Sequence, residues 1–424
     1  MIGKYKNNKL VKNFFSLSAL QMVNYILPLI TIPYLVRVIG PEKFGLLAFS
    51  TALITYFSII VDYGFNLSAT KEISINRDNR SKVVEIFSSV MTIKFILLIF
   101  SFVVLTIIVF SFDKFYQNYM IYYFTFGIAI GQMLFPIWLF QGLEDMKYIT
   151  FINIFTKSIF TLAIFLFIKE ESDFYLVPIF NSLGFIISGT IALYIIKNKF
   201  YISFKFQKFQ IIKKYLKDSW YIFISNMAVS LYTVTTVFIL GLFASNTVVS
   251  YYSAAEKIVK AVQSLLEPLA QAIFPHIGKI SNNSKIKAII FIRRITFYVG
   301  IFTFMMSCLL FFFAKDITLI ILGDRFIESI KVIQILSFLP FMIGLSKIFG
   351  VQTMLNFNRQ KAFSKILIFS SILNIILALI FVPMYHHIGS AYVVLFVETL
   401  VTISMFIYLQ SSGLKIIGKN KNVC

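Results

Sequence analysis

The chain has 424 residues, of which 58% are hydrophobic and 13% are charged. A soluble protein carries roughly 25% charged residues, so the composition excludes an ordinary soluble enzyme and predicts an integral membrane protein. The formal net charge of +21 needs no nucleic-acid partner, because the distribution of Lys and Arg among the loops explains it.

Apolar runs of about 20 residues, the length of a membrane-spanning helix, follow one another along the chain. A transmembrane β-barrel would instead show alternating apolar and polar residues in segments of about 10 residues, and the sequence has none. In chain order, the predicted spans are 14–36, 44–66, 83–110, 117–140, 148–168, 174–196, 217–243, 248–275, 288–313, 328–354, 361–382 and 388–410. The predicted fold class is an all-α polytopic membrane protein with about 12 transmembrane helices.

Basic residues predict the orientation of these spans. Of the 39 Lys and Arg residues, 27 lie in the N-terminal segment, the C-terminal segment and every second loop, whereas 7 lie on the opposite side. Because short cytoplasmic loops carry an excess of Lys and Arg, this bias predicts that both termini are cytoplasmic.

The longest basic connection, residues 197–217, divides the spans into six plus six. Since six is even, both halves begin on the same side, and any repeat is parallel, with its axis along the membrane normal. A weak trace of such a repeat aligns residues 35–50 with residues 240–255. The predicted domains are an N-terminal six-helix bundle (1–198), a basic cytoplasmic linker (199–216) and a C-terminal six-helix bundle (217–424).

Charged side chains inside the predicted spans are the candidates for function. A charge near the centre of a span costs at least ~2.5–3.5 kcal/mol, so it usually faces the interior of a bundle or an aqueous cavity. The alternative is that some of these side chains lie near helix ends and extend to the membrane surface. The cations available to line a lumen are Arg37, Lys94, Lys157, Lys257, Lys260 and Lys347, and the carboxylates available to couple an ion are Asp62, Glu256, Glu267 and Glu398.

The eighth predicted span carries a polar stripe. Its members follow one another at spacings of 4, 3, 4 and 4 residues, and they are Glu256, Lys260, Gln263, Glu267 and Gln271. On a continuous helix these residues share one face, which is costly against lipid and favours a water-filled cavity. The alternative is Glu–Lys pairing, since Glu256 and Lys260 are four residues apart.

No motif in the sequence favours catalysis. The 3 histidines, His276, His386 and His387, show no metal-ligand spacing, and neither a nucleophile motif nor a phosphate-binding loop is present. The sequence therefore predicts a protein that is not an enzyme and that has no cofactor and no metal. The enzyme alternatives are a membrane polysaccharide polymerase, which would show a substantial outer loop, and a glycosyltransferase, which would show acidic motifs in its loops.

A short polar segment separates two apolar runs in PIWLFQGLEDMKYITFINIFTK, residues 136–157. Together with DYGFNLSATKEIS at 62–74 and IPYLVRVIGPEKFGLLAF at 32–49, it resembles the Wzx-type polysaccharide flippases, whose superfamily also holds multidrug extrusion transporters and lipid II flippases. The motif residues of the loop are Gln141, Gly142, Glu144 and Lys147. In structural terms the loop is a tight cytoplasmic connection with Gly142 as a helix cap, and the functional alternative is a gate or a headgroup-entry contact.

The resemblance implies two six-helix bundles that form a V and open alternately to either side of the membrane. It implies transport of an undecaprenyl-pyrophosphate-linked oligosaccharide from the cytoplasmic to the periplasmic leaflet of the inner membrane, for O-antigen or a related surface polysaccharide. The implied partners are this lipid-linked oligosaccharide, membrane lipids, and a polysaccharide polymerase with a chain-length protein. A drug or small-solute antiporter of the same fold is the alternative within transport.

Transport in one direction needs a driving force. The sequence has no nucleotide-binding loop, so an ion gradient is the source that remains, as the resemblance also implies. Glu256 lies beside Lys257 and one turn from Lys260, whereas no Lys lies within one turn of Glu267. Because a nearby cation favours the ionised carboxylate, the sequence predicts that Glu267 is the better candidate to take up a proton.

Overall fold

The computed structural model describes the backbone of residues 2–414 and 416. Side chains are described for residues 19–414 and 416, except at 25, 26, 225, 228, 229, 231–233, 268, 269, 271, 272, 275, 282 and 283. The predictions for the last basic residues (Lys415, Lys419 and Lys421), for the side chains of the first twelve residues and for the side chain of Gln271 lie outside the described residues.

The chain forms two compact units, each with its own core. The first consists of Met1–Ile39 and Phe49–Ser230, and the second of Gly40–Ala48 and Leu231–Cys424. All regular secondary structure in the described residues is helical.

Two long helices, α1 (Ile2–Asp62) and α9 (Phe209–Phe243), contribute to both units. The other α-helices of the first unit are α2 (Phe65–Asn76), α3 (Arg80–Ser111), α4 (Asp113–Tyr116), α5 (Tyr119–Leu134), α6 (Ile137–Gly142), α7 (Lys147–Phe167) and α8 (Leu176–Lys199). Those of the second unit are α10 (Asn246–Ser264), α11 (Glu267–Asn283), α12 (Lys285–Phe312), α13 (Ala314–Ile317), α14 (Ser329–Leu336), α15 (Leu339–Lys347) and α16 (Gln360–Ser411). Two π-helices (Thr318–Leu322 and Ile348–Leu355) and two 3₁₀-helices (Glu171–Tyr175 and Asp324–Phe326) complete the described structure.

The helices match the predicted spans. Within the described residues, 8 helical stretches are long and apolar enough to cross a membrane. Two of these stretches supply two spans each, because α1 is kinked at Gly40 (φ 70°) and α16 is kinked at His386 (φ 49°). The 8 stretches therefore account for 10 of the 12 predicted spans. The more polar α9 and the pair α10–α11 supply the remaining two helices, so the predicted all-α fold with 12 spans is confirmed.

The eighth predicted span is not one continuous helix. α10 ends at Ser264 and α11 begins at Glu267, with Pro268 at its start. Because proline lacks a backbone N–H, it fits the first turn of a helix but not its interior. The predicted single polar face over residues 256–271 is therefore wrong, since its members lie on two helices.

The two motif segments of the first unit pack against each other. Gly142 lies in the last turn of α6, so close to α2 that a Cβ would be 2.5 Å from Cγ2 of Ile73 and 3.0 Å from the carbonyl oxygen of Thr70. The hydroxyl of Thr70 donates a hydrogen bond to Oε1 of Gln141 at 3.3 Å. The predicted helix cap at Gly142 is wrong, because the left-handed residue of the loop is Glu144 (φ 59°). Gly142 is needed for the close approach of α6 to α2.

The first part of α9 holds the other side of α2. The ring of Tyr63, just before α2, stacks on Phe223 with 4.6 Å between ring centroids. The hydroxyl groups of Ser68 and Ser219 are hydrogen-bonded at 2.7 Å. α2 is thereby packed between α6 and α9 in the first unit.

The predicted linker, residues 199–216, is only partly extended, because α9 already begins at Phe209. Its non-helical part lies along the start of α3: Arg80 donates a hydrogen bond to the carbonyl oxygen of Tyr201 at 2.6 Å. Tyr215 donates a hydrogen bond to Glu85 at 3.1 Å. Burial, and then the charge of Glu85, raise the pKa of Tyr215, so this phenol stays a donor throughout the physiological range.

In the second unit, the segment Gly40–Ala48 packs against the start of α10. A Cβ at Gly45 would lie 1.7 Å from the carbonyl oxygen of Asn246 and 3.0 Å from the backbone nitrogen of Ser250. These contacts join the two segments that the weak sequence repeat aligns.

Replacing Gly142 with Ala is expected to destabilise the first unit, because the added methyl group would overlap Ile73. Overpacking of this kind costs about 1–3 kcal/mol, so the midpoint of thermal unfolding of the detergent-purified protein should fall by several degrees. Gly300→Ala in α12 is the matched control, since its methyl group would meet only Cδ2 of Leu345 at 3.7 Å. Equal midpoints for the two variants would contradict the packing role of Gly142.

Candidate functional site

Asp62 and Lys94 form an ion pair inside the first unit. Asp62 is the last residue of α1, and its Oδ1 lies 3.4 Å from Nζ of Lys94 in α3. The same Nζ donates a hydrogen bond to the carbonyl oxygen of Gln132 at 3.4 Å. The Lys94 side chain is only 2% exposed, and a buried charge of this kind is tolerated only with a partner. Asp62 therefore largely neutralises Lys94, which leaves little of its charge for a substrate.

Among the described residues, the partners of Lys157 in α7 are uncharged. Its Nζ donates a hydrogen bond to Oδ1 of Asn24 in α1 at 2.6 Å and lies 5.9 Å from the ring centroid of Phe185. In the part of the chain that the structure describes, no carboxylate is within ion-pair distance of this lysine. Because no described carboxylate competes for it, this lysine can pair with an anion that enters from outside.

Two adjoining cavities surround these lysines. A cavity of about 220 Å³ between α1, α7 and α8 contains Lys157 on its wall, together with apolar side chains such as Val23, Leu27 and Phe160. A second cavity of about 490 Å³ is lined by the Asp62–Lys94 pair, by several Asn, Gln and Ser side chains, and by two phenyl rings. Asn153 and Phe185 line both cavities, so the two spaces lie side by side in the first unit.

In α10 of the second unit, the two predicted cations Lys257 and Lys260 contact other side chains of that unit. Nζ of Lys260 lies 2.9 Å from Oε1 of Glu256, four residues earlier on the same helix. The structure thus contains the Glu–Lys pair that the sequence offered as the alternative to a water-filled cavity. Nζ of Lys257 lies 4.7 Å from the ring centroid of Phe44 and its side chain is exposed.

Glu267 and Lys347 form the ion pair inside the second unit. Glu267 begins α11, and Lys347 ends α15 where the chain continues into the π-helix Ile348–Leu355. No lysine lies within one turn of Glu267 in the sequence, and its partner Lys347 comes from a helix 80 residues away along the chain. The role of Glu267 in ion coupling stays a prediction, now as one member of a pair.

The remaining predicted residues lie apart from the two cavities. Arg37 is exposed near the kink of α1, and Glu398 is half-buried in α16. In the motif loop, Glu144 forms an ion pair with Arg77 at 3.2 Å, and the exposed Lys147 lies 5.0 Å from the ring centroid of Tyr148. The loop contacts described above hold α2 and α6 together, which accounts for Gln141, Gly142 and Glu144 as packing residues.

The uncharged polar side chains of the cavities were not among the residues predicted from the sequence. Asn24, Asn66, Gln132 and Asn153 lie within apolar runs or at their ends, and they line the same space as the charged residues. Their signal was present, because an amide inside a span also needs hydrogen-bond partners. The predicted lumen and coupling candidates were all charged residues, so these amides were not among them.

Known proteins resemble this chain along nearly its whole length. Residues 10–281 match the family model described as "Polysaccharide biosynthesis protein". A protein of Escherichia coli (strain K12) named "Putative O-antigen transporter" is 34% identical, over 95% of this chain and 97% of that protein. A protein of the same name from Shigella dysenteriae is 32% identical, over 93% of this chain and 98% of that protein.

Solved structures share the fold. An inward-facing multidrug resistance MATE family transporter of the MOP superfamily superposes with a TM-score of 0.69 at 13% identity, over 92% of this chain and 95% of that one. The lipid II flippase MurJ in an inward closed conformation superposes with a TM-score of 0.52 at 16% identity, over 96% of this chain and 86% of that one. At these identities the likeness shows the fold alone.

The fold, the family model and the two relatives agree that this chain is a multi-pass membrane transporter and not an enzyme. It belongs to the polysaccharide biosynthesis protein family, as a Wzx-type flippase of the superfamily that includes the MATE transporters.

Proposed function

We propose that this protein moves undecaprenyl-pyrophosphate-linked oligosaccharide repeat units from the cytoplasmic to the periplasmic leaflet, for O-antigen or a related surface polysaccharide. The observation that carries this proposal is the cavity of Lys157, where a cation with neutral partners lies beside Val23, Leu27 and Pro28. A pyrophosphate needs positive charge that no carboxylate compensates, and the first isoprene units need an apolar surface. One cavity offers both.

In this proposal the two halves of the chain, residues 1–198 and 217–424 joined by 199–216, open alternately to either side of the inner membrane. The headgroup crosses in polar surroundings while the polyprenyl chain remains in lipid. On the periplasmic side, the sugar unit passes to a polysaccharide polymerase and its chain-length protein, which are the proposed partners.

The charge bias of the loops supports an orientation with both termini in the cytoplasm. A topology reporter fused after Cys424, or inserted near Lys208, should give a cytoplasmic signal. A matched insertion in the loop at Glu171, between α7 and α8, should give a periplasmic signal. A periplasmic signal at either of the first two points would overturn the orientation.

Lys157 is expected to be needed for its charge. Because a hydrogen bond to a charged group contributes about 1.5–3 kcal/mol, Lys157→Ala should reduce polysaccharide export about tenfold or more at an unchanged amount of membrane-inserted protein. Lys157→Arg should restore more export than Lys157→Gln. The measurement is surface polysaccharide in a strain that lacks its own flippase.

Lys197→Ala is the matched control for this test, because Lys197 is an exposed lysine near the end of α8. It should leave export unchanged. Equal export from the Lys157→Ala, Lys157→Gln and wild-type proteins would remove the pyrophosphate contact from the proposal. Normal polysaccharide with a changed susceptibility to drugs would favour the antiporter.

We propose that an ion gradient drives transport through the paired intramembrane carboxylates, with Glu267 as the coupling residue. Protonation of Glu267 would remove the counter-charge of Lys347, whose side chain is 28% exposed, and would end the attraction between the two side chains. The proton would thereby loosen the contact between α11 and α15. The pair would then have two arrangements, one with the ion pair formed and one with Glu267 protonated and the ion pair broken.

Glu267→Gln is expected to abolish the stimulation of transport by a proton or sodium gradient, because glutamine carries no charge to exchange. Flipping of a fluorescent pyrophosphate lipid in proteoliposomes measures this effect, and passive equilibration should persist. Glu171→Gln, at an exposed position of a loop, is the matched control. Full gradient dependence in Glu267→Gln would place the coupling elsewhere.

A further inference from the structure

The 490 Å³ cavity of the first unit is polar but electrically neutral. Its charged side chains, Asp62 and Lys94, compensate each other at 3.4 Å. Its volume is within the range of about 300–1,000 Å³ that small-molecule sites occupy. The cavity therefore suits an uncharged, strongly hydrogen-bonding group better than it suits a pyrophosphate.

Several polar groups on its wall have unused hydrogen-bond capacity. Ser58 is 6% exposed, and its Oγ has no hydrogen-bond partner among the described residues. The side-chain amides of Asn66 and Gln132 likewise form no hydrogen bond within the described part of the chain. Nδ2 of Asn153 donates to the carbonyl oxygen of Ile149 at 2.9 Å, which leaves its Oδ1 to accept. Of these four residues, Ser58 and Asn153 are buried, and a buried polar atom without a partner is costly, so a ligand with hydroxyl groups would stabilise this wall.

The wall also includes the phenyl rings of Phe135 and Phe185. A sugar ring has hydroxyl groups around its rim, which both donate and accept, and a face of C–H groups, which is apolar. Carboxamides match the hydroxyl groups because each amide offers two donors and an acceptor. Phenyl rings match the C–H face because burial of apolar surface is favourable.

The position of the cavity indicates which sugar it takes. It adjoins the cavity of Lys157 through Asn153 and Phe185. We infer that the neutral cavity binds the first, uncharged sugar ring of the repeat unit, the ring bonded to the pyrophosphate that Lys157 contacts. This inference rests on the proposed function. It makes Asn66 and Gln132 residues that select the sugar, whereas Lys157 recognises the anion common to all such lipids.

The experiment measures how much a sugar adds to the binding of a pyrophosphate lipid. The probes are undecaprenyl pyrophosphate alone and the same lipid carrying one N-acetylglucosamine, one glucose or one glucuronic acid. Affinities are measured for the purified full-length protein in nanodiscs. The wild type should bind at least one of the neutral-sugar lipids about tenfold more tightly than the bare lipid, and the glucuronic acid lipid should lack this gain.

Gln132→Leu and Asn66→Ala should each reduce the tenfold gain to about threefold or less, while the affinity for bare undecaprenyl pyrophosphate stays within about twofold of the wild type. Asn66 is exposed, so its variant tests the inference even where Gln132→Leu is unstable. Gln210→Leu, at an exposed position near the start of α9, is the matched control and should keep the full gain.

The outcomes separate the two levels of the proposal. A wild-type protein that binds the bare and the sugar-bearing lipids equally, or variants that keep the full gain, would overturn the sugar site and leave the flippase function standing. A wild-type protein that binds none of the pyrophosphate lipids would overturn both. Loss of bare-lipid binding in Gln132→Leu and Asn66→Ala would move the pyrophosphate into this cavity and overturn the assignment of the sugar.

Discussion

The cost of an uncompensated charge inside the membrane is the constraint on which the rest of this structure depends. Each unit contains one carboxylate and one lysine from separate helices that meet as an ion pair: Asp62 with Lys94, and Glu267 with Lys347. These pairs compensate two of the six candidate cations, Lys94 and Lys347, and Glu256 compensates a third, Lys260. Lys157 is different, since its described partners are a neutral amide and a phenyl ring. It is therefore the cation best placed to meet an anionic headgroup.

Both carboxylates of these ion pairs lie at helix ends, where the helix dipole acts on them. Glu267 is at the start of α11, and Lys347 is at the end of α15. A negative charge at a helix N-terminus is favourable, so α11 stabilises Glu267. Lys347 gains no such benefit, because the π-helix Ile348–Leu355 continues directly from α15. Asp62 ends α1, where the dipole opposes a carboxylate, so Lys94 has more to compensate. A helix that is interrupted within the membrane is tolerated where the break is buried in protein or lines a cavity. Asp62 lies at the break between α1 and α2, and it lines the 490 Å³ cavity.

The family motif serves the packing of a helix rather than a cavity. α2 is packed between α6 and α9, with Gly142 on one side and Phe223 on the other. The loop therefore sets the position of the segment that follows Asp62, and through it the geometry of the ion pair. Small residues allow two membrane helices to approach closely, and polar residues form hydrogen bonds between them. A short segment of such residues between two apolar runs therefore predicts a close contact between helices.

By itself, the sequence determined the class of the protein, its 12 membrane spans and the list of intramembrane charges, because hydropathy and charge are local properties of the chain. It also identified the motif segments at 62–74 and 136–157, but it assigned Gly142 to a cap. Only the tertiary structure decided which charges are paired, since Glu267 meets a lysine 80 residues away. It also decided that carboxamides gather around one neutral cavity. Such juxtapositions depend on which helices become neighbours, and helical periodicity carries no information about that choice.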